Sequence, residues 1–404
     1  MRSLPQEARL FAMAETHQAP LDWIVLKIVQ RCNLNCTYCY VYNRGDDSWK
    51  QRPPTISDEV VKALAQRVAE QCAKYSLQRF VIEFHGGEPL LIGKRRMEHI
   101  VQTLRVMCPS VELRIVLQTN GLLLDKEWLE LFDRNNISFG LSLDGPPEIA
   151  DRHRVFLNGE GSTARLLENV QQLRSISPLF DRLLGGVLCV VDPSLNGGDL
   201  VRWFVNNGFH WVEFLLPDGN YANLPPGWTG VEPIRRFLLE AFDAWYAMGK
   251  EAPDIRIFET MLLAFMGVKP QLDALGGDLR KLCVVESDGS IGISDVMRFC
   301  QGEYSVDQLN IFRDPLDART DVYRIDELQR PCTKCHACPH LKSCGGGYLP
   351  HRYDGKSFAN PSIYCEALYA LGERMAAAII ADVPPSLVQV RHAQAVASSS
   401  DISR

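Results

Sequence analysis

Apolar and polar positions change period along this chain in a regular way. Between residues 22 and about 248, short runs rich in Val, Ile, Leu and Phe alternate with longer stretches whose apolar positions recur every three to four residues. The short runs predict strands at 23–29, 79–85, 112–119, 138–144, 183–191 and 210–216. The longer stretches predict helices near 57–75, 95–107, 126–135, 163–177, 199–207 and 233–248. The clearest follows Ser57, a candidate N-cap, with Asp58 and Glu59 in the first turn and Val61, Leu64, Ala65, Val68 and Cys72 on one face. Six strand–helix units in series predict a parallel sheet with right-handed crossovers. Six falls short of the eight that close a barrel. The expected fold class is therefore α/β, a partial, open (β/α)6 barrel.

After residue 250 the alternation stops. Residues 253–277 predict a helical bridge, and 281–368 hold short strands, turns and seven cysteines. The expected division is an N-terminal extension at 1–21, the barrel at 22–248, the bridge at 249–280, a Cys-rich domain at 281–368, and a C-terminal helix and disordered tail at 369–404. The tail, from residue 384, is rich in Ser, Ala and Val. No internal repeat or heptad pattern is present, so a monomer is expected. The roughly twenty residues ahead of the first strand are too few for a separate leader-binding domain.

Composition narrows the function. Apolar residues make up 46% and charged residues 23%, as in a globular protein. A net charge of −6 without a basic block argues against nucleic acid as a partner. No long apolar run and no secretory pattern occurs, so a cytoplasmic protein without membrane contact is expected. Thirteen cysteines are many for that compartment, and ten of them fall into two clusters, one near each end. A reducing cytosol disfavours disulfides, so the clusters point to metal binding.

The first cluster is Cys32, Cys36 and Cys39, a C-x3-C-x2-C loop directly after the first strand. Three thiolates on one tight loop can hold three irons of a 4Fe–4S cube and leave the fourth open to a small molecule. The other strands also end in unusual residues: His85-Gly86-Gly87-Glu88-Pro89, Gln118-Thr119-Asn120-Gly121, Ser142-Leu143-Asp144-Gly145, Val191-Asp192-Pro193 and Leu216-Pro217-Asp218-Gly219-Asn220. Parallel β/α proteins place their sites at the carboxyl ends of strands. These motifs therefore share one rim.

The cysteine spacing, with Tyr38 just before the third cysteine, resembles the radical S-adenosylmethionine (SAM) signature, and the resemblance covers about residues 22–235. It implies a cube on Cys32, Cys36 and Cys39 whose open iron is chelated by SAM. It implies SAM contacts from Tyr38, Gly86, Gly87, Glu88, Pro89, Gln118, Asn120, Ser142, Asp144, Arg154 and Leu215. The second cluster is Cys283, Cys300, Cys332, Cys335, Cys338, Cys344 and Cys365, and it resembles the SPASM extension of peptide-modifying radical SAM enzymes. That resemblance implies two auxiliary 4Fe–4S clusters. Cys335, Cys338, Cys344 and Cys365 would hold the outer one, and Cys283 and Cys300 the inner one. Cys332 would either complete the inner set or stay free. Where the pattern has a further inner-cluster cysteine, this chain has Tyr348.

Within that superfamily the segments Cys39-Tyr40-Val41-Tyr42-Asn43, Asp47-Ser48-Trp49, Phe214-Leu215-Leu216-Pro217-Asp218 and 345–352 are similar to those of cyclophane-forming maturases of ribosomal peptides. The expected function is then hydrogen abstraction from a side-chain β-carbon of a precursor peptide and C–C crosslinking to an aromatic ring. Asp218, Glu286, Asp295 and Tyr348 are the candidate bases, and a flavodoxin- or ferredoxin-type protein is the expected reductant. The alternatives are an anaerobic sulfatase maturase forming formylglycine from Cys or Ser, a thioether-forming SPASM maturase, and a non-enzymatic iron–sulfur protein. Sulfatase maturases typically have an aspartate directly after the second SPASM cysteine, where this chain has Gln301.

Overall fold

The computed structural model describes residues 20–382 apart from 301–303 and 305–306; the expected disordered tail and Gln301 lie outside the described residues. Ten strands form one sheet in the order β10-β9-β8-β1-β2-β3-β4-β5-β6-β7. The central six are β1 (Trp23–Val29), β2 (Arg79–Gly86), β3 (Glu112–Thr119), β4 (Ile137–Ser142), β5 (Leu184–Val190) and β6 (Trp211–Leu215). All are paired in parallel, as the strand–helix alternation predicts. The α/β fold class with a partial barrel and a Cys-rich C-terminal region is the observed one.

Side-chain parity sorts the sheet into two environments. On β2, Phe80, Ile82 and Phe84 are buried in the hydrophobic core. Glu83 and His85 point the other way, and His85 meets Lys27 of β1 there. Helices Asp58–Tyr75, Lys94–Met107, Lys126–Arg134, Thr163–Ile176, Gly197–Asn206 and Glu232–Met248 follow the strands. Val61, Leu64, Ala65, Val68 and Cys72 all face the core from the first helix. Each large aliphatic side chain so buried stabilises the fold by about 1.5–3 kcal/mol.

Four further short strands are β7 (Asp254–Ile255), which falls in the expected helical bridge, and β8 (Leu282–Val285), β9 (Ser290–Gly292) and β10 (Leu309–Asn310), which lie where short strands are expected without bounds. Runs of two to four residues carry too little periodicity to read. They form because β1 and β6 would otherwise be open edges with unpaired backbone groups. β7 pairs in parallel with β6, and β8 pairs in parallel with β1. The Cys-rich region thus continues the barrel's own sheet. β4 stops at Ser142, two residues earlier than expected, and the chain turns at Gly145 with φ +115°.

The Ser57 side chain accepts a hydrogen bond from the Val60 N–H at 3.3 Å, so the predicted N-cap is realised. Ser57→Ala is expected to lower unfolding stability by about 1 kcal/mol, read as a lower urea midpoint with an unchanged m-value.

Candidate active site

The rim is assembled by backbone contact. The Gly87 N–H donates to Val29 O and the Glu88 N–H to Arg31 O, both at 2.9 Å, which carries β2 onto the cysteine loop. Two glycines make this approach possible. A Cβ on Gly86, at φ +147°, would lie 2.0 Å from Val29 O, and one on Gly87 would lie 2.0 Å from the Tyr42 hydroxyl and 2.2 Å from Arg31 O. Both are backbone or tightly packed neighbours, so no other residue fits without displacing the loop. The loop's far side is zipped to 153–155: Asn35 N–H donates to Val155 O at 2.8 Å and Thr37 N–H to His153 O at 3.0 Å. This pairing brings Arg154 to the cysteines.

Glu88 is 1% exposed. Its carboxylate accepts from the Leu90 N–H at 3.1 Å, the Thr119 hydroxyl at 2.7 Å and the Asn120 N–H at 2.8 Å. Burial pushes its carboxyl up, and these three donors oppose that. Asn120 Nδ2 donates to Asn33 Oδ1 at 2.8 Å and lies 4.0 Å from Cys32 Sγ. Gln118 Nε2 donates to the Ser142 hydroxyl at 2.9 Å. Asp144 accepts from the Tyr38 hydroxyl and from the Val190 N–H. Arg154 donates to the Tyr38 hydroxyl at 2.9 Å and lies 3.9 Å from the Asp144 carboxylate. Leu215 ends β6 on the same rim. Most of the residues expected at a SAM site are thus gathered beside the three cysteines.

These residues fit a cube and SAM. The three thiols share one loop, and burial pushes Cys32 up to about 12 and Cys39 up to about 11. Deprotonation there becomes favourable once iron supplies the compensating charge. The buried Tyr42 hydroxyl has no hydrogen-bond partner and faces the same loop. Among the described residues no three His, Cys, Asp or Glu side chains close round a single metal ion.

Below the rim lies a charged interior. Lys27 is 3% exposed. Its ammonium donates to Asp295 at 2.8 Å, Tyr40 at 3.1 Å and His85 Nδ1 at 3.0 Å, and Tyr40 also donates to Asp295. Burial alone would raise the Asp295 carboxyl, but Lys27, His85 and the two hydrogen bonds outweigh it and hold it below the usual carboxylate range. Asp218, at the end of β6, shows the reverse: burial, then the Asp295 charge, push it up to about 7. The His351 imidazole lies 3.9 Å from Asp218 and is held neutral by burial. Tyr348 is kept far above the usual phenol range by burial and by Asp273, Asp218 and Asp295. Glu286 is occupied by Gln30 at 2.8 Å and Arg298 at 2.9 Å.

In the second cysteine cluster Cys332 lies elsewhere than expected. Cys332, placed by the resemblance with Cys283 and Cys300 if bound at all, lies 3.5 Å from Cys335 Sγ. Cys335, Cys338, Cys344 and Cys365 share that neighbourhood. Sequence reasoning also missed Lys27 and His351. A lone lysine inside Trp-Ile-Val-Leu-Lys-Ile-Val was the available signal, since a lysine is buried only when paired.

Residues 26–187 match the radical SAM superfamily. The cysteine-type anaerobic sulfatase-maturating enzyme of Clostridium novyi (strain NT) is 24% identical over 88% of this chain and 95% of its own. The serine-type anaerobic sulfatase-maturating enzyme of Bacteroides thetaiotaomicron is 24% identical over 88% of this chain and 90% of its own. Among solved structures, native anSMEcpe with bound AdoMet and Cp18Cys peptide superposes with a TM-score of 0.76 at 23% identity, covering 90% of this chain and 98% of that one.

These relatives overturn the cyclophane reading. Several of the residues that suggested it serve packing here. Tyr42 stands edge-on to Trp49 with ring centroids 4.9 Å apart, and Arg31 covers Trp49 at 5.0 Å. Arg352 is spent on the carbonyls of Phe358, Asn360, Gln329 and Arg330. Residues fixed by such contacts do not report the reaction.

Arg154→Leu removes the cation beside Asp144 and Tyr38. The variant is expected to bind SAM about 10- to 100-fold more weakly by calorimetry, the loss of a charge-assisted hydrogen bond.

Proposed function

We propose that this radical SAM enzyme, whose cofactors are SAM and 4Fe–4S clusters, oxidises a Cys or Ser side chain of a protein-borne peptide to formylglycine. The observation that supports this most is the interior next to the rim. Two carboxyl groups of opposite character lie there, Asp218 and Asp295, near enough for the charge of Asp295 to raise Asp218, in a chain of which cysteine-type and serine-type maturases each match 88%. SAM and the reduced cube, when bound, supply the 5′-deoxyadenosyl radical that takes a hydrogen from the target β-carbon.

The chain's own residues position the peptide, exclude water and accept a proton. Formation of the carbonyl requires loss of a hydrogen atom from the β-carbon to the 5′-deoxyadenosyl radical, of an electron to the auxiliary cluster that Cys335, Cys338, Cys344 and Cys365 would hold, and of the thiol or hydroxyl proton; with a thiol, water then replaces sulfur, which leaves as hydrogen sulfide. The proton goes to the Asp218–Asp295 pair. Asp295 is fixed as a carboxylate by Lys27, and its charge helps bring Asp218 to about 7, which suits proton acceptance near neutrality. The pair supplies carboxylates that Gln301 lacks. Tyr348 and Tyr40 stay protonated and so serve as donors rather than bases. A cavity of about 510 Å³, lined in part by Val268, Lys269, Asp273, Lys342, Leu349 and Arg352, opens between the bridge and the Cys-rich region. A flavodoxin- or ferredoxin-type protein supplies the electron that starts each cycle.

The test is anaerobic reaction of reconstituted protein with SAM and peptides carrying Cys or Ser, with the new aldehyde captured by a hydrazide and located by fragmentation. Asp218→Asn and Asp295→Asn are each expected to lower aldehyde formation at least about 100-fold. Full activity in both variants, or a product without a carbonyl, would contradict the proposal. Asp218 accepts a proton only once deprotonated, so the wild-type rate is expected to rise with pH through about 7. Tyr348→Phe should keep that limb.

A further inference from the structure

We propose that this chain holds one auxiliary cluster rather than two: the Cys332–Cys365 group binds it, and the inner position is closed by protein side chains. The sheet itself separates the two inner-site cysteines. Cys283 of β8 is in register with Ile24 of β1, so the two side chains share a face. Cys283 is fully buried on that face. Lys27 lies an odd number of residues further along β1, on the opposite face, where it meets Asp295. Cys300 belongs to that opposite side. Its sulfur accepts from Asn220 Nδ2 at 3.8 Å and lies 3.9 Å from Pro350 O, beside the loop that carries Asp218. A cube cannot be shared by thiols on opposite faces of one sheet.

The remaining inner ligands are missing too. Tyr348 stands where the pattern has a cysteine, and its ring packs edge-on against His351 at 5.1 Å, which packs against Tyr364 at 4.9 Å. Tyr364 directly precedes Cys365 and donates its hydroxyl to Pro217 O at 2.7 Å. This row of rings runs from the Asp218 side of the interior to the outer cysteines and fills the space between them. Cys332 is drawn to Cys335, which leaves Cys283 and Cys300 without a third thiol. The outer group, by contrast, has five cysteines for the four irons of one cube. The inference concerns cluster content and does not depend on which peptide is oxidised.

The experiment is iron and sulfide content, with Mössbauer quantification, of the full chain reconstituted anaerobically. About eight irons per chain are expected, four on Cys32, Cys36 and Cys39 and four on the outer group. Cys283→Ser and Cys300→Ser should retain all eight, while Cys335→Ser/Cys338→Ser should fall to about four. About twelve irons in the wild-type chain would overturn the proposal, and that count decides even if a variant fails to fold. Loss of about four irons from a folded Cys283→Ser or Cys300→Ser chain would overturn it as well.

Discussion

The buried contact between Lys27 and Asp295 joins the first strand of the barrel to the Cys-rich region across 268 residues of sequence. Neither charge could stay in this interior alone, because a buried ion left without its partner costs about 3–5 kcal/mol. The pair therefore ties the segment after β9 to β1, in addition to the ladder between β8 and β1. It also sets the electrostatics of the interior. A carboxylate held ionised at Asp295 makes a second one at Asp218 harder to form, and the two groups are driven apart in proton affinity. Two carboxyl groups with separated affinities are what a proton-accepting site needs.

A second constraint acts at the rim. The carbonyls of Val29 and Arg31 must accept from Gly87 and Glu88, and that is possible only where two consecutive residues lack a Cβ. The same contact turns Glu88 inward onto Thr119 and Asn120, and Asn120 toward Cys32. Sheet register, glycine placement and cysteine position are thus one piece of geometry. This is why the cysteine loop, the Gly86–Pro89 turn and the strand-three end could be read together from the sequence.

Legibility followed the strength of local signals. Glu112–Thr119 is dense in branched apolar residues and was read to the residue, and the Ser57 cap was read from its own chemistry. The rim motifs were legible because the topology forces them to one end of the sheet. Pairing across long separations was not. Nothing local says that β8 lies against β1, or that Cys283 faces away from Cys300, since that depends on the parity of one short strand. The product was misread for a related reason. Tyr42, Trp49 and Arg352 resembled markers of a reaction, but their contacts show them to be packing residues.

The central claim is that the bound peptide's β-carbon is placed to give up a hydrogen and is then carried to an aldehyde. The most direct measurement is reaction of the reconstituted enzyme with a peptide deuterated at the β-carbon of its Cys or Ser. The account predicts deuterium in 5′-deoxyadenosine, in step with aldehyde formed. Unlabelled 5′-deoxyadenosine alongside a modified peptide would contradict it.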